Sequence, residues 1–161
     1  MFNFRRKKHT SDVEPKVQEI KLSKEYRFMY ENCVFCTQHY TYLLLEKNGD
    51  EISALKFDSS LSKYGYPNDE SRGGHSLSNH GLGFYGLFEV HNSPWIKEVM
   101  IQNRIHPQHN DSMYDSDRHF IACFKDVTLE VISSSFEEIQ LPTLEFMNTV
   151  TQELNYLNIN N

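Results

Sequence analysis

Residues 73–119 constrain the fold more than any other stretch, because an apolar run leads straight into a helix start. Residues 83–90 read GFYGLFEV and are apolar on both faces, which predicts a central strand covered on two sides. The two glycines of this run indicate a bulge or a close backbone approach. Ser93 can cap the exposed N–H groups of a helix, and Pro94 fits the first helical position. This order of elements indicates a protein that mixes strands and helices.

The spacing of apolar residues predicts two helices. The first begins at Pro94 and should span about 94–105, because Pro107 disfavours helical geometry in the residue before it. The second should span about 143–157. The stripes expected to face the core are Trp95, Ile96, Val99 and Met100 in the first helix and Leu144, Met147, Val150, Leu154 and Leu157 in the second.

Turn chemistry predicts an early hairpin. Asn48 and Gly49 tolerate the positive φ that a type I′ turn requires, so residues 39–46 and 51–57 should pair. Residues 25–31 alternate in polarity, with Tyr26, Phe28 and Tyr30 on one side, and this indicates a strand with one wet face.

Three stretches are less defined. Residues 16–24 fit either a short helix or an edge strand, and residues 33–36 fit either a turn or an extension of the next strand. Residues 58–82 show no periodicity, and a connection of this length is usually either functional or disordered.

A second hairpin is predicted late in the chain, with a strand at residues 118–125 and a tight turn at 126–127. The expected pairs are Lys125 with Thr128, Cys123 with Glu130 and Ile121 with Ile132. The face expected in the core consists of Phe120, Ala122, Phe124, Leu129 and Val131. The opposite face carries His119, Cys123, Lys125, Thr128 and Glu130. A thiol beside a histidine could be a nucleophile, but a solvated strand face explains the same residues and is preferred.

Together these elements predict an α+β fold in which a mainly antiparallel sheet of about five to six strands packs against the two helices. An aromatic content of 13% favours a sheet with packed faces over a helical bundle. Residues 1–15 should form a flexible basic tail, and residues 16–158 should form a single domain.

The formal charge of −6 is unevenly distributed. Residues 1–24 carry seven basic and three acidic side chains, net +4, so the remainder carries −10. A body this acidic repels phosphate backbones, and nucleic-acid contact is expected only through Arg5, Arg6, Lys7 and Lys8. No stretch approaches the ~20 apolar residues that cross a bilayer, and no apolar segment follows the N-terminal charges. We therefore expect a cytoplasmic protein with reduced thiols and no membrane partner.

Histidines supply the first candidate site. His106 and His109 lie three residues apart, His119 begins a strand, and His75 and His80 lie in a glycine-rich loop. Imidazole is a common metal ligand and an acid or base near neutral pH, so these five are candidate catalytic residues. A metal site could use His106, His109 and His119, with Asp111, Asp115 or Asp117 as a further ligand or base. The spacings of these histidines match no motif of known mechanism. Scattered surface or capping positions would also account for their presence in the sequence.

Cysteines supply a second candidate site. Cys33, Cys36 and His39 could provide three of the four ligands of a zinc ion. A second pair of similar spacing is absent from the sequence, so buried apolar roles for the thiols are preferred. We expect no cofactor, with zinc or another divalent metal as the alternative.

Aromatic residues flank the glycines around Tyr64, Tyr66 and Tyr85 and could form a contact surface, although ordinary loop packing explains them equally. Phosphate-binding glycine loops, a nucleophile elbow and a deaminase signature are all absent from the sequence. The preferred interpretation is a small interaction module that binds another protein, of a regulatory, inhibitor or immunity type. The alternative is a metal-dependent or histidine-based hydrolase built from the histidine-bearing loops.

Overall fold

The computed structural model describes residues 13–59 and 61–157, which form two antiparallel sheets and two helices. The strands are β1 (Lys16–Ile20), β2 (Cys33–Cys36), β3 (Thr41–Asn48), β4 (Glu51–Phe57), β5 (Leu61–Gly65), β6 (Gly86–His91), β7 (Arg118–Cys123), β8 (Thr128–Ser133) and β9 (Phe136–Pro142). The helices are α1 (Pro94–Asn103) and α2 (Thr143–Asn155). The predicted basic tail, with Arg5 to Lys8, falls almost entirely outside the described residues.

The α+β class is confirmed, but the strands divide into two sheets instead of one. The orders are β1-β6-β7-β8-β5 and β2-β3-β4-β9, and every pairing within them is antiparallel. The sheets share a core between their inner faces, because each presents an apolar set to the other. This core consists of Phe28, Leu43, Leu55, Phe57, Leu87, Phe120, Ala122, Phe124, Leu129 and Val131.

The early hairpin is present, with its turn shifted by one residue. Asn48 pairs with Glu51, so the two-residue loop is Gly49 and Asp50. Gly49 has φ +60° whereas Asp50 is not among the residues with positive φ. Glycine with positive φ at the first central position is the pattern of a type II′ turn, so the predicted type I′ turn is wrong.

The late hairpin keeps its predicted faces but not its register. Cys123 pairs with Thr128 and His119 with Ile132, because the connection is a four-residue loop closed by a hydrogen bond from Phe124 N to Val127 O of 2.9 Å. A shift of two residues leaves every side chain on its original face. The aromatic face of β7 therefore lies in the core as predicted, while Lys125 lies in the loop.

One segment differs from its prediction, and a less defined one contains a strand. Residues 25–31 form no strand, because Phe28 N bonds to Tyr26 O and Tyr30 N bonds to Arg27 O within the segment itself. Phe28 still enters the core, whereas Tyr30 is exposed. Residues 58–82, whose sequence shows no periodicity, contain β5, which pairs with β8.

The outer face of the five-stranded sheet is covered by residues 66–85 and by α1. Its apolar contacts are Val17, Leu77, Leu82, Phe88, Val90, Ile121 and Cys123. Phe88 lies against the backbone at Gly83, where a Cβ would come within 2.6 Å of the ring, as expected of a close approach. The face of β7 predicted to be wet is therefore buried, because a long loop lies over it.

The outer face of the four-stranded sheet is covered by α2. Phe146 packs against Tyr42, Ile52 and Ala54, and it is the one buried residue of the helix. Most of the predicted buried stripe of α2 is wrong: Leu144, Met147, Leu154 and Leu157 face solvent. None of the helices in the described ranges has the length and apolar character needed to span a lipid bilayer.

Candidate functional site

A small polar cavity of about 200 Å³ lies on the outer face of the five-stranded sheet, between the covering loop and α1. Strand register builds its floor. Lys63 pairs with Glu130, and Glu130 pairs with Ile121, two residues from His119. Because directly paired residues of antiparallel strands share a face, Lys63, Glu130 and His119 lie side by side. The loop supplies His75, and α1 supplies Trp95.

A hydrogen-bond chain runs from the start of α1 to the sheet. Ser93 Oγ accepts from Ile96 N at 3.2 Å as the cap of α1, which confirms the predicted helix start. The same oxygen lies 2.9 Å from His119 Nδ1, and His119 Nε2 lies 3.0 Å from Glu130 Oε2. These contacts are satisfied when the Ser93 hydroxyl donates to Nδ1 and the Nε2–H group donates to the carboxylate.

His75 approaches the same carboxylate from the loop. Its Nδ1 accepts from Leu77 N at 3.2 Å, so its proton lies on Nε2. That atom is 3.6 Å from Glu130 Oε1, which is longer than a direct hydrogen bond. The two oxygens of Glu130 therefore face the protonated nitrogens of two different imidazoles.

The surroundings of Glu130 keep it ionised. Burial raises the pKa of its carboxyl, but the hydrogen bond from His119, the nearby imidazole of His75 and the charge of Lys63 outweigh burial and hold the pKa well below its usual range. The side chain keeps 17% of its surface exposed, so the negative charge remains accessible from the cavity.

Aromatic and charged side chains complete the cavity. The Trp95 ring meets the His119 ring edge to face, with centroids 5.2 Å apart and an angle of 76°. The Lys63 ammonium lies 3.9 Å from the centroid of the Trp95 ring, within the range of a cation–π interaction. Glu98 and Ser76 line the same cavity.

The order Ser93, His119, Glu130 matches the hydroxyl, imidazole and carboxylate order of serine hydrolases. Three features differ from a working nucleophile: Ser93 is 5% exposed, it does not line the cavity, and its oxygen already caps α1. Both nitrogens of each imidazole also face partners within the protein, so neither offers a free lone pair. As it stands, the network fastens α1 and the loop to the sheet.

The remaining candidate histidines lie elsewhere. His109 accepts from Asn103 Nδ2 at 3.2 Å and contacts Asp111 Oδ1 at 2.6 Å. Asp111 also accepts two hydrogen bonds from Arg104; these bonds and His109 lower the pKa of Asp111 to about 2. His106 accepts from Gln108 N, and His80 lies half-buried in a 3₁₀ turn. None of these three histidines lines the cavity.

The cysteine candidates also lie apart. Cys33 and Cys36 are both exposed on β2. Residues that are three positions apart in a strand lie on opposite faces of the sheet, so these two thiols do not converge. His39 follows β2 in the turn before β3 and contacts the Tyr40 ring. Burial raises the pKa of the Cys123 thiol to about 11, which makes it unreactive. Among residues 13–59 and 61–157, no three His, Cys, Asp or Glu side chains form a group that could hold a metal ion.

A second surface of interest is the apolar face of α2, defined here as Leu144, Met147 and Leu154. Their side chains are 69%, 51% and 54% exposed. The face continues into a groove of about 610 Å³ between the end of α2 and the turn after β2. Phe35, Tyr40, Tyr156 and Leu157 line this groove.

Sequence reasoning missed Lys63 and the double role of Ser93. Lys63 lies in the segment that showed no periodicity, although the short LSKYG run at residues 61–65 has the length of an edge strand. Ser93 was expected only as a helix cap. Its contact with His119 depends on how α1 packs against the sheet, which no local pattern contains.

No protein-family model, no curated protein and no solved structure matches this chain. Functional inference therefore rests on the chemistry of the cavity and of the apolar face of α2.

Proposed function

We propose that this protein binds a partner protein through the apolar face of α2 and the adjoining groove. The observation that carries the proposal is the exposure of Leu144, Met147 and Leu154, which follow one side of the helix at spacings of three and seven residues. Single exposed apolar residues are ordinary, but a contiguous apolar surface usually marks a contact site. An apolar helix face beside an aromatic groove suits a second amphipathic element.

The charge around this face indicates a basic partner. Residues 126–161 contain six carboxylates and no lysine, arginine or histidine. Glu145 and Glu153 lie on α2, and Glu137 lies on the sheet face that α2 covers. The nearby ammonium of Lys56 is engaged over the Tyr40 ring at 4.4 Å. We infer that the partner presents a helix with apolar residues on one side and lysine or arginine at its borders.

A second copy of this chain fits the face less well. Pairing two α2 helices would bring together two helices that each carry Glu145 and Glu153 and no basic residue. Like charges at a contact oppose association, whereas a basic partner gains from the same carboxylates. The charge pattern therefore favours a different protein.

The test uses a labelled amphipathic helical peptide made of leucine and lysine, with its leucine and glutamate counterpart as the control. Fluorescence anisotropy should show binding of the lysine peptide only. Serine at Leu144, Met147 and Leu154 together should weaken binding by on the order of tenfold or more, because the apolar contact is lost. The matched control is Ile105→Ser, since Ile105 is 91% exposed and lies outside this face.

Added salt should slow the association of the lysine peptide, because the carboxylates steer its approach. Equal affinity of the triple serine variant and the native protein would refute the proposed face. A salt-insensitive association rate would refute the basic partner. Sedimentation of the native protein as a dimer that the triple variant abolishes would replace the partner with a second copy.

The second candidate function is a histidine-based hydrolase. It is favoured by the meeting of His75 and His119 at Glu130, beside the Ser93 hydroxyl. For that function a substrate must reach Ser93, which then attacks while His119 takes its proton. Ser93→Ala should abolish hydrolysis of an activated ester, while His106→Ala should leave it unchanged. Equal rates in the native protein and Ser93→Ala would remove this candidate.

A further inference from the structure

The cavity on the five-stranded sheet already contains a positively charged side chain of the protein itself, that of Lys63. Lys63 is exposed on the edge strand β5, and its ammonium reaches the face of Trp95 at 3.9 Å. The ionised carboxylate of Glu130, which pairs with Lys63 across the sheet, lines the same cavity, and so does Glu98 of α1. An aromatic face in a cavity that also contains two carboxylates can recognise positively charged nitrogen.

The charges of the cavity do not balance. Glu98 and Glu130 supply two negative charges and Lys63 supplies one positive charge. His75 Nδ1 already accepts a hydrogen bond from the backbone of Leu77. The carboxylate of Glu130 can accept about four hydrogen bonds, and the imidazoles face only two of those positions. A further donor with positive charge therefore has acceptors available.

We propose that this cavity binds the primary ammonium group of a small aliphatic amine, which takes the place of Lys63 over Trp95 between Glu98 and Glu130. The site lies on the opposite side of the sandwich from the apolar face of α2, so it is independent of the proposed partner-binding surface.

Other ligand classes fit less well. An anion would meet the fixed charge of Glu130 in a partly buried position, where repulsion is only weakly screened. A quaternary ammonium ion has no N–H group with which to satisfy the free positions of the carboxylate. The volume of about 200 Å³ is below the range of sites for drug-sized molecules, roughly 300–1,000 Å³, and suits a short carbon chain.

Lys63 acts in this scheme as a tethered competitor. Its ammonium is held near Trp95 by its position on β5, so a free amine must displace it. Replacing Lys63 with methionine keeps the length and apolar stem of the side chain but removes the charge. Lys63→Met should therefore bind amines more tightly than the native protein.

Trp95 is the single tryptophan of the chain, so its fluorescence reports on this cavity alone. Titration of the native protein with n-butylammonium should change the Trp95 emission, while 1-butanol, the neutral analogue, should not. In Lys63→Met the affinity for n-butylammonium should rise by on the order of tenfold. Lys16→Met, at an exposed lysine of β1, is the matched control and should bind as the native protein does.

Glu98→Gln should weaken binding several-fold, because it removes one of the two carboxylates without disturbing the buried network.

The ammonium group could come from a free amine or from a lysine side chain of another protein, and Nα-acetyl-lysine amide distinguishes the two sources. Binding as tight as that of n-butylammonium indicates a lysine side chain, and weaker binding indicates a free amine. The triple serine variant of α2 should bind n-butylammonium unchanged, which separates this site from the partner surface. Equal affinity in Lys63→Met and the native protein, or an equal response to 1-butanol, would overturn the proposal.

Discussion

The two outer faces of the sandwich are covered in different ways. A loop and α1 cover the five-stranded sheet, and polar groups fasten them to it: Arg72, His75, Ser93 and His119 are all within hydrogen-bond networks. A helix alone covers the four-stranded sheet, and its main anchor is the ring of Phe146. The first cover combines the apolar contacts of Leu77 and Leu82 with several side-chain hydrogen bonds, whereas the second is held mainly by apolar packing.

The difference follows from the backbone. A loop has unpaired carbonyl and N–H groups that need partners when it is buried, whereas a helix satisfies most of its own. Arg72 meets that need by donating to Phe84 O at 3.1 Å and to Phe124 O at 2.7 Å. Because α2 satisfies most of its own backbone groups, it is anchored mainly by the ring of Phe146, with two hydrogen bonds from Thr143 to Asp50 O at its start, and its apolar face stays exposed. The loop side instead encloses a charged cavity.

Removing Arg72 should have the largest effect, because it breaks the loop cover. Arg72→Met leaves the buried carbonyl of Phe124 and the partly buried carbonyl of Phe84 without their donor, at a cost of about 1–3 kcal/mol for each unsatisfied group. We expect the free energy of unfolding in urea to fall by about 3–4 kcal/mol. Hydrogen exchange in residues 66–85 should rise more than that in α2. A loss below about 1 kcal/mol would contradict a cover held by directional bonds.

Removing the anchor of α2 should come next. Phe146→Ala deletes a ring that packs against Tyr42 and Phe35 and should lower the free energy of unfolding by about 3 kcal/mol. Leu144→Ala, on the exposed face, should change it by less than about 0.5 kcal/mol. Urea denaturation of both variants checks the contrast. Similar losses in the two would mean that α2 does not rest on a single ring.

The helix α2 also shows where sequence analysis reaches its limit. Its span was predicted within two residues, because Pro142 and the apolar spacing mark it locally. Its buried side was predicted correctly only at Val150, since Phe146 lies at helical spacing from Val150 just as the leucines do. Which of two apolar sides is buried depends on the sheet beneath, and that sheet is built from strands distant in the sequence.

The same reason explains the candidate site. His119 and Glu130 were placed on one strand face, because alternation assigns faces reliably even when the register is shifted by two residues. The face was expected to be wet, since nothing local indicates that residues 66–85 fold back over it. Lys63, Trp95 and His75 meet there only through that tertiary cover. The aromatic core face of β7 and the Ser93 cap were predictable because each depends on neighbours in sequence.

Weakening the polar anchor at Glu130 should give the smallest of the three losses, and its dependence on pH identifies the cause. Glu130→Gln replaces an ionised acceptor with a neutral one, so we expect a loss of about 2 kcal/mol at neutral pH. In the folded protein, burial raises the pKa of Glu130, but His119 and His75 lower it by more. The net shift of this pKa is therefore downward. A carboxyl with a lowered folded pKa stabilises the fold at pH values above its unfolded pKa, near 4.5, and this contribution is lost as the pH falls toward the folded pKa.

The difference in unfolding free energy between Glu130→Gln and the native protein should therefore be constant from pH 7 to about 5 and shrink below about 4.5. Glu137→Gln, at an exposed carboxylate of β9, should show no such difference at any pH. A gap that stayed constant down to pH 3 would assign the loss to packing instead of charge. The loop side would then resemble the helix side, and the contrast between the two covers would disappear.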